Sequence, residues 1–241
     1  MRKAWAIRTL PVVPLDGSRV SGGTMTTEIE LHGARTGNCL RVAVTFEEAG
    51  LPYTPKWLNL RHGAHGASDY LALNPAGKVP TVVDRRGVGK PFVLTQSNAI
   101  MFWVADQRSG LLLPADDPAQ RATTLERYFY FVTDVIERSR AAFQLRMSGD
   151  HAGSAYLDQV ALEAAMFSEI FLTDSEFMAG DRFSVADIAG WTILSFLEPR
   201  IDWSRCLRLR HWLDTVAARP AVRRGMHAFD AVDSNSNDDR R

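Results

Sequence analysis

Disulfides cannot frame this chain. Among its 241 residues only Cys39 and Cys206 carry thiols, too few for a cross-linked scaffold and in keeping with a reducing, cytoplasmic location. Neither sign of charge is in excess. Lys plus Arg number 28, as do Asp plus Glu, so the net charge is zero. With no basic cluster interleaved with aromatics, no nucleic-acid partner is expected. No apolar run approaches the roughly 20 residues of a membrane span, so no membrane partner is expected either. What the chain does have is a hydrophobic fraction of 46%, enough to build a globular core. Its length suits one large domain or two ordinary ones.

The opening stretch, "MRKAWAIRTLPVVPLDGSRVSGGT", makes a poor signal peptide, because Arg8 and two prolines interrupt its apolar residues. Residues 1–24 are expected to be a disordered extension, and the polar residues 231–241 a disordered tail.

Between them the pattern changes character once. "TEIELHG" alternates Ile29 and Leu31 with polar neighbours, the period of a strand. A helix follows Thr36 and Gly37, with Cys39, Val42, Ala43 and Phe46 on its apolar face, Arg41, Thr45 and Glu48 opposite, and Gly50 at its end. "YTPKWLNL" reads as a strand that Pro55 confines to an edge. "TVVD" and "PFVLT" read as a hairpin around "RRGVGK", and Ser97 as the N-cap of a helix carrying Ile100, Trp103 and Val104. The order is β-α-β-α-β-β-α. After a turn-rich linker the periodicity is helical throughout. Leu125, Tyr128, Phe129, Val132 and Ile136 form one stripe, and a long helix spans roughly 154–172. Ser184 and Asp187 form an acidic capping box flanked by a staple of Phe183 and Ile188. Leu209, Trp212, Leu213 and Val216 line a helix that ends before Pro220.

"TGNC", Thr36 to Cys39, sits where the first strand gives way to a helix. It could be half of a redox motif, a nucleophile, a cradle for a small thiol, or a helix cap. A thioredoxin-type redox pair needs two cysteines, and Thr36 occupies the position of the first. Cys39 falls on the apolar stripe, which favours packing over reactivity. The helix start offers unpaired N–H groups and a favourable dipole for an anion, while Thr36 is equally suited to cap the helix.

Five segments stand in order: "TGNCLRV", "LNPAGKVPTVVD", "LTQSNAIMFWVAD", "FMAGDRFSVADI" and "HWLDTVAARPAV". Together, from Met25 to about Phe229, they resemble the cytosolic glutathione S-transferase superfamily. The resemblance is greatest to bacterial and fungal members with Thr-Pro-Asn or Thr-Gly-Asn at the first helix. The N-terminal catalytic tyrosine of the mammalian type is missing. The resemblance implies an α/β thioredoxin-like domain at 25–109, a linker at 110–118 and an all-α domain at 119–230. It implies that Thr36 donates to a glutathione sulfur, with Asn38 or its backbone N–H assisting, and that Pro80 follows a cis bond. Val79 would then bond the cysteinyl part of glutathione through its main chain, Gln96 and Ser97 would grip the γ-glutamyl end, and His65 and Lys78 would flank the glycyl carboxylate. Tyr128 and Phe131, and more weakly Tyr130, are aromatic candidates for a second-substrate pocket between the domains.

By the same resemblance the activity is transfer of glutathione, held as a thiolate, to a small hydrophobic electrophile or a peroxide. Glutathione is the co-substrate, no metal takes part, and the assembly is a homodimer. Glutathione-dependent disulfide reduction or isomerisation is the alternative enzyme. A glutathione-binding module without turnover is the non-enzymatic one, since fold alone does not fix function.

Overall fold

The computed structural model describes residues 28–230, so the expectations for 1–24 and 231–241 lie outside the described residues. Strand β1 (Ile29–Gly33) buries Ile29, Leu31 and Gly33 and leaves the alternate residues half-buried, the period its sequence carries. Helix α1 (Gly37–Ala49) ends at Gly50, whose φ of 59° is the left-handed conformation a helix-terminating glycine adopts. Then come β2 (Thr54–Trp57), the short α2 (Ser68–Leu73), β3 (Thr81–Asp84), β4 (Phe92–Thr95) and α3 (Ser97–Asp106).

The sheet order is β2-β1-β3-β4, with β1 parallel to β2 and β3 antiparallel to both β1 and β4. This is the thioredoxin-like arrangement, and it puts Pro55 on an edge strand as expected. The register fixes the geography of one end. Thr81, the first residue of β3, pairs with His32 near the end of β1 and with Thr95 at the end of β4. The segments leading into α1, β3 and α3 therefore meet at one edge of the sheet.

The remainder is helical: α4 (Pro118–Tyr130), α5 (Glu137–Met147), α6 (His151–Phe167), α7 (Val185–Leu197), α8 (Leu207–Ala218) and α9 (Pro220–Met226). Asp117 caps α4 by accepting from the N–H groups of Ala119 and Gln120, with Pro118 at the first helical position. Between α4 and α5 the chain makes a π-helical turn, Phe131–Ile136. The expected stripe needs one correction: Phe129 is 47% exposed, while Tyr128, Phe131, Val132, Val135 and Ile136 are buried at spacings of three and four. The expected long helix also closes earlier, at Phe167, and its last residues tighten into 3₁₀ turns to Leu172. Pro220 stops one helix and starts the next, which the periodicity did not show.

A second correction concerns α1. Arg41 and Thr45, expected on an outward polar face, are 3% and 0% exposed. α1 packs against α3, α7 and α9, so the helix is buried nearly all round. Thr45 answers this by donating its hydroxyl to the Arg41 carbonyl at 2.7 Å. One apolar cluster runs from Ile29 through Phe46, Tyr128 and Phe131 to Trp212 and Phe229, joining the α/β unit to the helices. Among the described residues no helix is long and apolar enough to cross a membrane.

Candidate functional site

Thr36 is the N-cap of α1, in extended conformation, and its hydroxyl turns inward. It accepts from the Cys39 N–H at 3.4 Å and donates toward the Cys39 sulfur at 3.2 Å. A neutral thiol is a weak acceptor, so this hydroxyl gives up little by turning to an anion. The N–H groups of Gly37 and Asn38, the next two in the chain, meet no acceptor among the described residues. A Cβ built on Gly37 would stand 3.6 Å from a ring carbon of Phe196 and 3.8 Å from a guanidinium nitrogen of Arg41.

Cys39 is fully buried, and burial pushes its thiol up despite the Thr36 hydrogen bond. It packs beneath Gly33, where an added Cβ would lie 3.0 Å from its sulfur. A neutral, enclosed thiol is neither nucleophile nor redox partner. Cys39→Ser is therefore expected to leave any turnover within about twofold of the parent while lowering stability by roughly 1–2 kcal/mol. Loss of turnover in a folded Cys39→Ser protein would overturn the packing role.

The second segment at this edge is braced from below. The Lys78 carbonyl accepts from the Tyr70 hydroxyl and from the Asn74 side chain, both at 2.6 Å, and Tyr70 also bonds the Thr81 hydroxyl at 2.9 Å. Above this brace the Val79–Pro80 bond is cis, as expected. Val79 is half-buried and Lys78 exposed. His65 is half-buried beside it, its Nδ1 enclosed without a partner. A Cβ on Gly77 would come within 3.1 Å of the His65 carbonyl, so the two segments are in contact.

The third segment differs in detail from the sequence expectation. Gln96, not Ser97, caps α3. Its side-chain oxygen accepts from the N–H groups of Asn98 at 2.7 Å and Ala99 at 3.1 Å. Gln96 adopts φ 74°, a left-handed value disfavoured for any residue with a Cβ, and it is the one non-glycine residue with positive φ among those described. This conformation hands Ser97 the first helical position, 6% exposed, with no hydrogen bond from its hydroxyl among the described residues.

Tyr128 and Phe131 require correction. Both are fully buried. Tyr128 donates to the Asn98 side chain at 2.8 Å, and Phe131 fills the space over Gly190, where a Cβ would lie 2.8 Å from its ring. They are core residues because Tyr128 packs on α3, against Phe102, and Phe131 on α7, at Gly190. Tyr130 likewise donates inward, to the Ala164 carbonyl at 2.7 Å. The aromatic ring that stands at the mouth of α1 is Phe196, 55% exposed at the end of α7. Sequence reasoning missed it because α7 is apolar on every side, so no periodicity marks one ring as outward. It also missed Arg41, whose burial pulls its guanidinium down to about 10. Two cavities of about 400 and 410 Å³ lie elsewhere, against the linker at Leu112–Asp117 and between α8 and Leu172–Glu176. Neither is lined by the three segments just described.

Comparison with known proteins finds relatives of this fold. Residues 37–107 match the family described as glutathione S-transferase, N-terminal domain. The disulfide-bond oxidoreductase YfcG of Escherichia coli is 26% identical over 200 residues, 80% of this chain and 92% of its own. The glutathione S-transferase GstB of the same organism is 28% identical, over 78% of this chain and 91% of its own. A glutathione transferase homologue from Lodderomyces elongisporus, crystallised with two glutathione molecules per subunit, superposes with a TM-score of 0.73 at 26% identity, covering 83% of this chain and 97% of that one. In its N-terminal domain, in its mixed four-stranded sheet and in its helical remainder, the chain is thus similar to proteins of the glutathione transferase superfamily.

Proposed function

We propose that this protein is a glutathione transferase, binding glutathione across the sheet edge where α1, β3 and α3 begin. The observation that carries the reading is the pair of free N–H groups on Gly37 and Asn38, beside a threonine hydroxyl whose present acceptor is only a thiol. A thiol of ordinary pKa, about 8.5, needs such donors to exist as the nucleophilic thiolate near neutrality. The Thr36 hydroxyl would exchange Cys39 for the thiolate, a charge-assisted and stronger acceptor. Ser97, with its free hydroxyl and N–H at the start of α3, suits the γ-glutamyl carboxylate. Gln96 would act through the loop conformation, since its side chain is committed to the helix. The open backbone of Val79 suits the cysteinyl amide. His65, whose enclosed Nδ1 has no hydrogen-bond partner among the described residues, and the exposed Lys78 remain the candidates for the glycyl end.

In the proposed reaction the thiol loses its proton to water. The thiolate then attacks an electrophilic carbon presented by the apolar wall that includes Phe196, and the leaving group departs into solvent. Catalysis is by positioning and anion stabilisation.

A second reading, glutathione-dependent disulfide reduction, is favoured by the name of the Escherichia coli oxidoreductase and by the two glutathiones in the Lodderomyces structure. Because Cys39 is enclosed, two glutathione molecules would have to supply both electrons, ending as glutathione disulfide while the substrate disulfide becomes two thiols.

Calorimetric titration with glutathione, followed by assay against an activated chlorodinitrobenzene, tests the proposal. Binding with turnover supports it; binding without turnover points to a module that only holds glutathione; no binding overturns it. Faster reduction of a mixed glutathione disulfide than of the aryl halide would favour the second reading. Thr36→Ala is expected to lower kcat/KM about tenfold, or ~1.4 kcal/mol in the transition state. Unchanged activity would assign the task to the backbone alone.

A further inference from the structure

Arg41 carries a buried charge with no counter-ion. It lies on the turn of α1 that follows Gly37 and Asn38, 3% exposed, its Nε has no hydrogen-bond partner, and no carboxylate pairs with it among the described residues. The groups that face it do not neutralise it. On its own helix the Cys39 thiol is held uncharged by burial. On α4 the Tyr128 hydroxyl is also held uncharged by burial, and it donates to Asn98 of α3, itself neutral. On α5 the Glu137 carboxylate, which does act on Arg41, is exposed and already bonded to Arg140 at 3.0 Å. From α7 the ring of Phe196, which is apolar, comes to the same point, 3.6 Å from where a Cβ on Gly37 would stand.

An isolated ion in such surroundings costs several kcal/mol even after relaxation, and an apolar side chain of similar volume would be no less stable there. Its position suggests what offsets the cost. One guanidinium nitrogen is 3.8 Å from where a Cβ on Gly37 would stand, alongside the two free N–H groups that open α1. Helix dipole, N–H groups and guanidinium all favour negative charge at the same point.

We propose that Arg41 is the counter-charge of the bound glutathione thiolate, acting through space from behind the first turn of α1 rather than by touching the tripeptide's carboxylates. The inference rests on the reading of this site as a glutathione site. An opposite charge within about 4–6 Å favours the ionised form by roughly one to three pKa units, a contribution that the Thr36 hydroxyl alone does not supply.

The test follows the ultraviolet absorbance of the thiolate in the complex of the full chain with glutathione as pH is raised. In Arg41→Met the bound thiol is expected to titrate about one unit or more higher than in the parent. In Arg41→Lys, which keeps the charge, it is expected to stay within a few tenths of a unit of the parent. Affinity for S-methylglutathione, which has no ionisable thiol, is expected to be unchanged in both. An unshifted thiol in Arg41→Met overturns the proposal. So does a parallel loss of S-methylglutathione binding, which would show that Arg41 shapes the pocket. If Arg41→Met does not fold, the lysine variant decides, and a thiol that titrates there a full unit higher counts against a role for charge. Failure of the parent protein to bind either ligand would instead sink the glutathione reading itself.

Discussion

Asp187→Ala is expected to cost about 3–5 kcal/mol of stability, the largest loss from any single side chain considered for this fold. Asp187 is fully buried at the start of α7. One carboxylate oxygen accepts from the Met178 N–H and the Trp212 indole N–H, each at 2.9 Å. The other accepts from the Ser184 N–H and hydroxyl, also at 2.9 Å. These four donors come from the loop before α7, from its N-cap and from α8. Burial pushes the carboxyl up and the four hydrogen bonds pull it down. Alanine would remove the acceptor and leave the donors enclosed, each at a cost of about 1–3 kcal/mol before relaxation. It would also abolish half of the capping box that Ser184 completes. Urea denaturation should show a lower midpoint at an unchanged slope. A loss under 1 kcal/mol would mean that water enters and satisfies the donors.

Gly225→Ala should be the next most damaging change, lowering stability by about 2 kcal/mol and Tm by roughly 4–8 °C. Gly225 lies where α9 crosses α1. A Cβ there would stand 2.6 Å from both the N and the Cα of Val44. Those are backbone atoms of a helix packed against α3, α7 and α9, so neither can swing aside as a side-chain tip would. In an open helix the same change would gain up to about 1 kcal/mol from reduced chain entropy; here the clash outweighs it. The helices would have to part along a seam that also carries Arg219 on Glu48, two hydrogen bonds of 2.7 Å, and Arg224 on Glu47 at 2.7 Å. Gly87→Ala makes the control, because a Cβ at Gly87 meets nothing within 4 Å and its φ is unstrained. A Gly225→Ala protein as stable as Gly87→Ala would show that α9 slides freely over α1.

These two positions differ in how plainly the sequence announced them. Asp187 was legible: Ser at the cap, Asp three residues on and a flanking apolar pair are local chemistry, and local chemistry survives translation into structure. The cis bond before Pro80 was reached through a resemblance of the surrounding segment, not from spacing. Gly225 was not legible at all, for a glycine in a short helix says nothing of the neighbour that requires it. Gln96 shows an intermediate case. The start of α3 was placed within one residue, but serine's capping preference was overridden by a glutamine whose longer side chain reaches two backbone N–H groups.

The amino-acid sequence by itself determined the order of elements and the two-part division into mixed sheet and helices, while the residues at the sheet edge were named through a family resemblance. The first two follow from periods of two and 3.6 and from caps and turns, all of them short-range. Tertiary structure alone decided which faces are inside. Packing on Gly190 of α7 took Phe131 into the core, the covering of α1 by α7 and α9 buried Arg41, and the end of α7 brought Phe196 to the mouth of the site. The physical reason is that burial belongs to pairs of surfaces: a sequence records what each helix could hide, and only packing settles which partner hides it.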